Sequence, residues 1–422
     1  MAKIDLKNAY FAVPISDPDK KYLRFRWKDQ TYQFNCLPFG LSCAPWVFTK
    51  ITKAVTPVLR EMGIRLIIYI DDILVMAESE NLLKDHIQGT IYLLENLGFV
   101  INFPKSLLEP KQIIEFLGFL VDSCNMELKL PGDKLKNIRG EARKLLALEH
   151  TTTLDLSRVL GKMNTATKAI AIAPLFYRQL QAELQQALTK SNQDYNTRLQ
   201  LSQGAREELQ WWHTHFTRWN GQSLIAKKPN ISLETDASRT GWGAVCQDTR
   251  TGGPWSEEEK MLHINCLELK AAFLAFKCFF KNRRSIHVLL KMDNTSAIAY
   301  INKMGGTVSP ALNNLNKEFW LWCMERDISV QAQHIAGRLN STADAESREM
   351  MDRYDWKFCP QIFQTLNSKF SLLELDLFAS QLTTQLPVFA SWMLDPEAMA
   401  TDAFILIWTN MKAYAKPPLG AW

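Results

Sequence analysis

Two strongly β-forming apolar runs separated by two adjacent aspartates constrain this chain more than any other feature. The runs are Leu66–Ile70 and Ile73–Met76, and Asp71 and Asp72 lie between them. Such runs joined by two residues predict a tight β-hairpin with both carboxylates at its tip. Adjacent anions beside so much apolar surface repel each other and resist desolvation, so a bound cation would stabilise them. A solvated Asp-Asp turn is the alternative.

A third carboxylate favours the metal interpretation. Asp5 stands in an apolar strand context between Ile4 and Leu6. Phosphoryl transfer to a 3′-hydroxyl uses two divalent ions, roughly 3.5–4 Å apart, that share carboxylate ligands. Asp5, together with Asp71 and Asp72, could supply such ligands from two strand ends.

Four more acids form a second pattern later in the chain. Asp236 and Asp293 each end a run of alternating apolar residues, so both are predicted at strand ends. Glu268 lies in the apolar stripe of a helix predicted over Glu258–Phe280, where an acid needs compensation. A simple salt bridge would also satisfy Glu268. Asp344 adds a fourth acid near a predicted helix start.

The bulk composition is that of a folded chain with several cores. At 422 residues the chain exceeds what one core usually organises. Lys and Arg exceed Asp and Glu by 49 − 44 = +5, which is compatible with a polyanionic partner. The eight cysteines form no C-x-x-C pair, and the sequence has no signal peptide and no apolar run that could span a membrane. We expect an intracellular protein, cytoplasmic or nuclear.

Five segments resemble successive palm motifs of a reverse transcriptase, in the family's order: KIDLKNAYF, YQFNCLPFGLSCAPWVF, YIDDILV, LGFVINFPKS and FLGF. The resemblance implies that Asp5, Asp71 and Asp72 are the metal-binding triad, with Asp72 the least critical ligand. It also implies that Tyr10 lies under the incoming sugar and excludes ribonucleotides.

The same resemblance implies further substrate contacts. Pro38, Phe39 and Gly40 match the loop that positions template and nucleotide, Lys105 would contact the triphosphate, and Phe116–Phe119 would be the primer grip. Taken alone, Tyr10 would be a packed strand aromatic and Lys105 a solvated loop charge. The finger strands that precede the first aspartate in this family do not occur in the sequence. We therefore expect an N-terminally truncated polymerase of doubtful activity.

Four later segments resemble the acidic motifs of an RNase H domain, again in order: TDASRTGWGAV, ELKAAF, KMDNTSAIAYIN and HIAGRLNSTADAESR. By this resemblance Asp236, Glu268, Asp293 and Asp344 would hold two Mg²⁺ ions that activate water and stabilise the leaving 3′-oxygen. The products would carry a 5′-phosphate.

The histidine of the mobile loop in RNase H enzymes has two possible counterparts here. His334 has a suitable spacing before Asp344. Gly337 also permits a shorter loop, in which Arg338 takes that place and His334 is a strand residue.

The segments WSEEEKMLHINCLELKAAF, AYINKMGG, ELDLFASQL and DPEAMATDAF resemble DIRS-type retrotransposons most closely. Those elements integrate through a tyrosine recombinase, and no recombinase segment is recognised in this sequence.

The expected fold is multidomain, α/β and α+β. The polymerase palm would combine an antiparallel sheet with helices and would be followed by a helical thumb and an RNase H-like α/β domain. The predicted segments are 1–122 palm with incomplete fingers, 123–200 helical thumb or connection, 201–229 linker helix, 230–351 RNase H-like domain, and 352–422 extension of unknown role. Lys136, Arg139 and Arg143 share one face of a predicted helix that could lie along phosphates, although plain solvation would also explain them.

The preferred interpretation is RNA-directed DNA synthesis with degradation of the RNA strand of the hybrid. Each site would use two Mg²⁺ ions, with Mn²⁺ a possible substitute. The expected partners are an RNA template, a DNA primer, an RNA–DNA hybrid and deoxynucleoside triphosphates, and no membrane. One alternative is a catalytically compromised or co-opted nucleic-acid-binding remnant, and another is a hybrid ribonuclease without polymerase activity.

Overall fold

A computed structural model describes residues 1–348, 357–370 and 372–416. Packing within the chain separates two units. The first unit contains Met1–Lys144, Thr165–Ala171 and Trp212–Ile225, and the second contains the other described residues. The predicted mixed α/β, multidomain fold class is confirmed. Each unit is discontinuous in sequence, whereas the sequence patterns predicted contiguous domains.

The chain up to residue 147 alternates strands and helices. Its strands are β1 (Ala2–Lys7), β2 (Arg24–Trp27), β3 (Gln30–Gln33), β4 (Arg65–Tyr69), β5 (Asp72–Met76), β6 (Val100–Ile101), β7 (Ile113–Phe116), β8 (Phe119–Asp122) and β9 (Glu127–Lys129). Its helices are α1 (Ala44–Glu61), α2 (Glu80–Asn96) and α3 (Gly132–Ala147). β4, β5, β1 and β6 form an antiparallel sheet in that order, and β2 pairs only with β3.

One hydrophobic core holds the sheet of β1 against α1 and α2. Ile4 on β1, Phe48 on α1 and Leu83 on α2 are among its buried members. The core face of β1 follows from the alternation of its apolar residues. α2 begins where the side chain of Ser79 accepts the backbone N–H of Leu82, which satisfies one of the free N–H groups of its first turn.

The middle of the chain is mainly helical, as predicted for the thumb or connection. Its elements are β10 (Thr151–Thr152), α4 (Thr153–Ala166), α5 (Arg178–Lys190), β11 (Arg198–Leu199), α6 (Gln203–Thr214) and β12 (Gln222–Ser223). The helix predicted over 201–229 covers only Gln203–Thr214, and β12 then pairs with β9. The strand forms because Asn220 anchors this segment to Leu130: its side chain accepts the Leu130 N–H and donates to the Leu130 carbonyl.

A five-stranded sheet organises the second unit. Its elements are β13 (Ile231–Ala237), β14 (Gly241–Cys246), β15 (Thr249–Pro254), α7 (Glu257–Lys260), α8 (Ile264–Phe280), β16 (His287–Met292), α9 (Thr295–Asn302), α10 (Pro310–Met324), β17 (Ser329–His334) and α11 (Ser341–Arg348). The strand order is β15-β14-β13-β16-β17. β13 pairs with β14 antiparallel and with β16 parallel, so the ends of β13 and β16 meet at one edge.

The helix predicted over Glu258–Phe280 is two helices. α7 carries a capping box between Ser256 and Glu259, and α8 starts afresh where His263 Nδ1 accepts the Asn265 N–H. Each helix has its own N-cap, so the helix is interrupted between Lys260 and Ile264, which apolar periodicity alone did not reveal. α8 is buried along most of its length.

The C-terminal segment adds α12 (Pro360–Lys369), β18 (Leu375–Asp376), β19 (Ala390–Ser391), β20 (Ala400–Thr401) and β21 (Ala413–Tyr414). β18 pairs with β21, and β19 with β20, both in parallel. This segment packs on the five-stranded sheet and on α8: Thr251 Oγ1 donates to the Leu394 carbonyl at 2.6 Å, and Lys277 lies 2.9 Å from Glu397. None of the helices in the described part of the chain is long and apolar enough to cross a bilayer.

Two candidate active sites

The first acidic group lies where β1 meets the β4–β5 hairpin. The register of β1 and β5 sets Asp5 directly opposite Asp72. The predicted hairpin forms, but its turn differs from the predicted one: Tyr69 pairs with Asp72, so the turn residues are Ile70 and Asp71. Ile70 takes a positive φ of 55°, and Asp72 is already the first residue of β5. The turn has moved because Asp72 pairs with both Asp5 of β1 and Tyr69 of β4, which leaves Ile70 to adopt the left-handed backbone that a two-residue hairpin requires.

Two of these carboxylates have local partners of their own. Asn102 Nδ2 donates to Asp5 Oδ1 at 2.7 Å, and the Asp5 N–H donates to Ser106 Oγ at 3.0 Å. Lys3 Nζ lies 2.8 Å from Asp72 Oδ1. Asn102 and Ser106 were not predicted to be part of the site, although both lie within the INFPKS segment. In the first group, an amide thus hydrogen-bonds one carboxylate and an ammonium pairs with another.

The third carboxylate of this group, Asp71, is exposed. Among the described residues, the oxygens of Asp5, Asp71 and Asp72 do not all come within 4.8 Å of one another. The three predicted ligands are neighbours in the fold, but the carboxylates do not converge on one point.

Aromatic side chains gather beside Asp71. Tyr10 is 9% exposed, and its ring lies 5.2 Å from Phe39 and 5.4 Å from Phe48. Burial, followed by the charges of Asp71 and Tyr69, raises the pKa of the Tyr10 hydroxyl. Tyr10 is thus both a packed aromatic and a neighbour of the acidic turn.

The other predicted contacts occupy loops around this group. Pro38 is buried, Phe39 is 60% exposed, and Gly40 has a φ of 88° that favours glycine. Lys105 is exposed on the turn that carries Asn102. These positions present an aromatic ring and a cation to solvent in the first unit.

The predicted primer grip, Phe116–Phe119, is the turn of the β7–β8 hairpin. Leu117 and Gly118 supply its two positive φ angles of 50° and 74°. Lys134 Nζ donates to the Gly118 carbonyl at 2.7 Å, which ties this turn to α3. The exposed face of α3 carries Lys136, Arg139 and Arg143.

The second acidic group converges. Asp236 lies near the end of β13, Asp293 follows β16 directly, and Glu268 projects from α8. One oxygen from each carboxylate lies within 4.8 Å of the others. Asp236 and Glu268 are buried, at 6% and 4% exposure. The parallel pairing of β13 with β16 brings two distant acids to one edge of the sheet.

The electrostatics of this group favour a cation. Burial, followed by the charges of Asp236 and Asp293, raises the pKa of Glu268 to about 9. Burial, with Asp293 and Asp344 adding to it, also raises the pKa of Asp236. Glu268 Oε2 is buried without a hydrogen-bond partner in the described part of the chain. Three close carboxylates, two of them buried and one with an oxygen left unsatisfied, fit a divalent cation with oxygen ligands.

Helix α11 and the residue before it also contact the second acidic group and its strand. Ser347 is 1% exposed, and its Oγ lies 2.9 Å from Asp236 Oδ2 and 2.8 Å from the Asp344 carbonyl. The side chain of the fully buried Asn340 donates to the Thr235 carbonyl at 2.9 Å. Neither Ser347 nor Asn340 was predicted as a site residue, although both lie within the NSTADAESR segment.

Glycines in β14 allow α11 to lie this close. A Cβ on Gly243 would sit 2.3 Å from the Ala343 carbonyl oxygen and 2.6 Å from the Ser347 nitrogen. A Cβ on Gly241 would lie 3.1 Å from the Ser347 carbonyl oxygen. The GWG spacing puts both glycines on one face of the strand, so the helix backbone packs directly on the sheet.

Asp344 stands apart from the converging three. It is outside the group of mutually close oxygens and is paired with Arg348 one helical turn later. Its negative charge still acts on Asp236, so it lies within electrostatic reach of the site.

The loop between β17 and α11 decides where the two candidate loop residues lie. His334 is the last residue of β17, is exposed, and pairs with Met292. Arg338 lies in a 3₁₀ turn after Gly337, and a Cβ on Gly337 would be 3.3 Å from Asp293 Oδ2. The loop backbone next to Arg338 therefore lies close to Asp293. His334 remains in the sheet.

Residues 1–121 match the family model described as reverse transcriptase (RNA-dependent DNA polymerase). The enzymatic polyprotein of cauliflower mosaic virus (strain D/H) is 26% identical over 368 residues, covering 82% of this chain and 50% of that protein. The enzymatic polyprotein of carnation etched ring virus is 24% identical over 377 residues, covering 84% and 52%. The chain spans about half the length of the curated relatives it matches. Residues 1–121 are thus similar to reverse transcriptases, and most of the chain is similar to viral enzymatic polyproteins.

Among solved structures, the foamy viral protease-reverse transcriptase in complex with dsDNA is 15% identical, covers 79% of this chain and 67% of that chain, and has a TM-score of 0.47. The same protein in complex with an RNA/DNA hybrid covers 79% and 43% with a TM-score of 0.46.

Proposed function

We propose that this chain is an RNA-directed DNA polymerase and RNA–DNA hybrid ribonuclease of a retroelement, with one metal-dependent site for each reaction. The polymerase assignment rests on the reverse transcriptase match over residues 1–121. The ribonuclease assignment rests on one observation, the convergence of Asp236, Glu268 and Asp293 at the edge of the five-stranded sheet.

In the ribonuclease site, Asp236, Glu268, Asp293 and Asp344 would hold two Mg²⁺ ions, with Mn²⁺ a possible substitute. Such ions activate water and stabilise the leaving 3′-oxygen of an RNA strand. Ser347 orients Asp236 through its hydroxyl, and α11 holds Asp344 near the same edge. Between the two candidates for the loop residue, the position of Gly337 beside Asp293 favours Arg338 over His334.

In the polymerase site, Asp5, Asp71 and Asp72 would hold the metal ions. Asn102 orients Asp5 through a hydrogen bond. Lys3 neutralises Asp72, which fits a lesser role for Asp72 as a ligand.

Substrate contacts of the polymerase would come from the loops around Asp71. Tyr10 and Phe39 form the aromatic surface for the incoming deoxynucleotide, Pro38 and Gly40 shape the loop, and Lys105 meets the triphosphate. The cations on α3 would lie along the phosphates of template and primer.

The substrates would be an RNA template with a DNA primer, deoxynucleoside triphosphates and the resulting RNA–DNA hybrid. We assign palm to 1–122, thumb or connection to 123–200, the linker to 201–229 and the RNase H-like domain to 230–351. The role of residues 352–422 stays open, and membership of the DIRS-type subgroup stays a prediction.

The test is cleavage of a labelled RNA–DNA hybrid by the purified chain in Mg²⁺, run beside primer extension on an RNA template. Both activities together support the full proposal. Loss of both, in a chain shown to be folded by circular dichroism, would contradict it and support the non-catalytic remnant.

A second candidate function is hybrid cleavage alone. It is favoured by the difference between the two sites, because only the second group brings three carboxylates together among the described residues. Cleavage without extension would support this narrower function.

A further inference from the structure

One predicted metal ligand, Asp344, lies outside the converging group and is held in an ion pair with Arg348. Arg348 Nε donates to Asp344 Oδ1 at 2.8 Å, and a terminal nitrogen of the same guanidinium lies 2.6 Å from that oxygen. The three other predicted ligands form the mutually close set without Asp344. The guanidinium thus occupies the carboxylate that a second cation would need.

Geometry on α11 makes this pair form readily. The two residues are four apart on one helix face, with the acid on the N-terminal side, which is the favourable order. The helix itself is fixed, because its backbone lies on Gly243 and Ser347 is buried against Asp236. The Arg348 side chain is long and mostly exposed, so it can leave Asp344 without any movement of the helix.

Because both side chains are exposed, another cation can readily replace Arg348 as the partner of Asp344. The Arg348 side chain is 68% exposed and that of Asp344 is 38% exposed. Solvent-exposed ion pairs are weak and are screened by salt. A divalent cation next to the negative charges of Asp236 and Asp293 competes for Asp344 with an advantage that an exposed guanidinium lacks.

We propose that Arg348 is an internal competitor for the second cation of this site. Its guanidinium holds Asp344 until a divalent cation displaces it. The carboxylates of Asp236, Glu268 and Asp293 therefore bind a cation at a lower cation concentration than Asp344 does. This inference rests on the proposed ribonuclease function for its physiological meaning. The cation competition itself can be measured without substrate.

The primary experiment measures Mn²⁺ binding to the full chain by electron paramagnetic resonance and calorimetry. Three proteins are compared: the parent chain, Arg348→Gln, and Arg250→Gln. Arg250 is a matched control, because it faces Glu346 on the same helix at 3.8 Å and is 61% exposed. Binding at the first acidic group is common to all three proteins and cancels in the comparison.

The expected result is a weak binding step that tightens about two- to fivefold in Arg348→Gln, the range of an exposed ion pair. The tight step should be unchanged, and Arg250→Gln should match the parent. An unchanged weak step in Arg348→Gln would overturn the proposal, as would an equal shift in Arg250→Gln. Arg348→Lys, which keeps the charge but loses the planar fork, should give a smaller shift and guards against a folding defect in the glutamine variant.

A second measurement follows hybrid cleavage against Mg²⁺ concentration. The half-saturating Mg²⁺ concentration should fall about two- to fivefold in Arg348→Gln, with an unchanged KM for the hybrid. A raised KM with unchanged metal binding would overturn the proposal and assign the guanidinium to nucleic acid. If the parent chain cleaves no hybrid while the Mn²⁺ shift is present, the competition stands and the proposed ribonuclease fails.

Discussion

The two acidic groups of this chain use the same residue types in different surroundings. In the first unit, Asp5 and Asp72 face each other across two strands and each carries a nearby polar partner. In the second unit, Asp236 and Glu268 are buried, and one Glu268 oxygen has no partner among the described residues. The second group therefore has the stronger electrostatic need for a cation.

The origin of this difference is the scaffold. A hairpin tip leaves Asp71 in solvent, where water screens its charge. In the second site, α8 covers the strand ends and buries the carboxylates, so water does not screen their charges from one another. Burial and this repulsion raise the pKa of Glu268 to about 9. We therefore expect the second site to be the stronger binder of divalent cations.

The largest effect expected is from Asp71→Asn. The substitution removes the one carboxylate of the first group that lies in the hairpin turn, so it should abolish nucleotide addition. Primer extension on an RNA template measures this loss. Hybrid cleavage should be unchanged, and equal loss of both activities would show that the two groups do not act independently.

Glu268→Gln should reduce hybrid cleavage at least ~100-fold, because it removes a metal-shaping oxygen from the converging group. Cleavage of a labelled hybrid at saturating Mg²⁺ measures the effect. Glu258→Gln, at an exposed glutamate of α7, is a control for loss of one negative charge, and it should retain cleavage. Normal cleavage by Glu268→Gln would place the site elsewhere.

The stability of the chain should depend on pH through the same glutamate. The pKa of Glu268 is raised in the fold from 4.5 to about 9, so its contribution is fully present below pH 4.5 and is lost as pH rises through 9. Burial also raises the pKa of Glu208, to about 7, so the window from pH 7 to 9 isolates Glu268 from Glu208.

In that window and without divalent cations, Tm should fall by several degrees as pH rises, and Glu268→Gln should flatten the decline. Added Mg²⁺ should restore Tm in the parent chain. Thermal melts at pH 7, 8 and 9 with and without Mg²⁺ measure both effects. A decline of the same size in Glu268→Gln would assign it to another group.

The smallest effect expected is from Ser347→Ala. Loss of one hydrogen bond to Asp236 corresponds to about 1 kcal/mol, which is about a fivefold loss of cleavage. A positioning role also predicts a higher half-saturating Mg²⁺ concentration, which plain destabilisation would not produce. Ser341→Ala, at the exposed start of the same helix, is the control and should behave like the parent chain.

Local patterns gave a correct account of several elements. The apolar runs around Asp71 and Asp72 predicted a hairpin, and alternation predicted strands that end near Asp236 and Asp293; all are present. These predictions succeeded because strand alternation and turn composition act over a few neighbouring residues. The register of the hairpin turn was wrong by one residue, because backbone conformation at Ile70 is set by pairing across the strands.

By itself, the sequence determined which side chains can carry chemistry, since the acids stand at strand ends and in an apolar helix stripe whatever the wider fold. Only the tertiary structure decided which of them meet. The parallel pairing of β13 with β16, and the glycine contact of β14 with α11, bring together residues more than 50 positions apart. The partners Asn102, Ser347 and Arg348 became visible only there, because a hydrogen bond or ion pair depends on distances that no local pattern specifies.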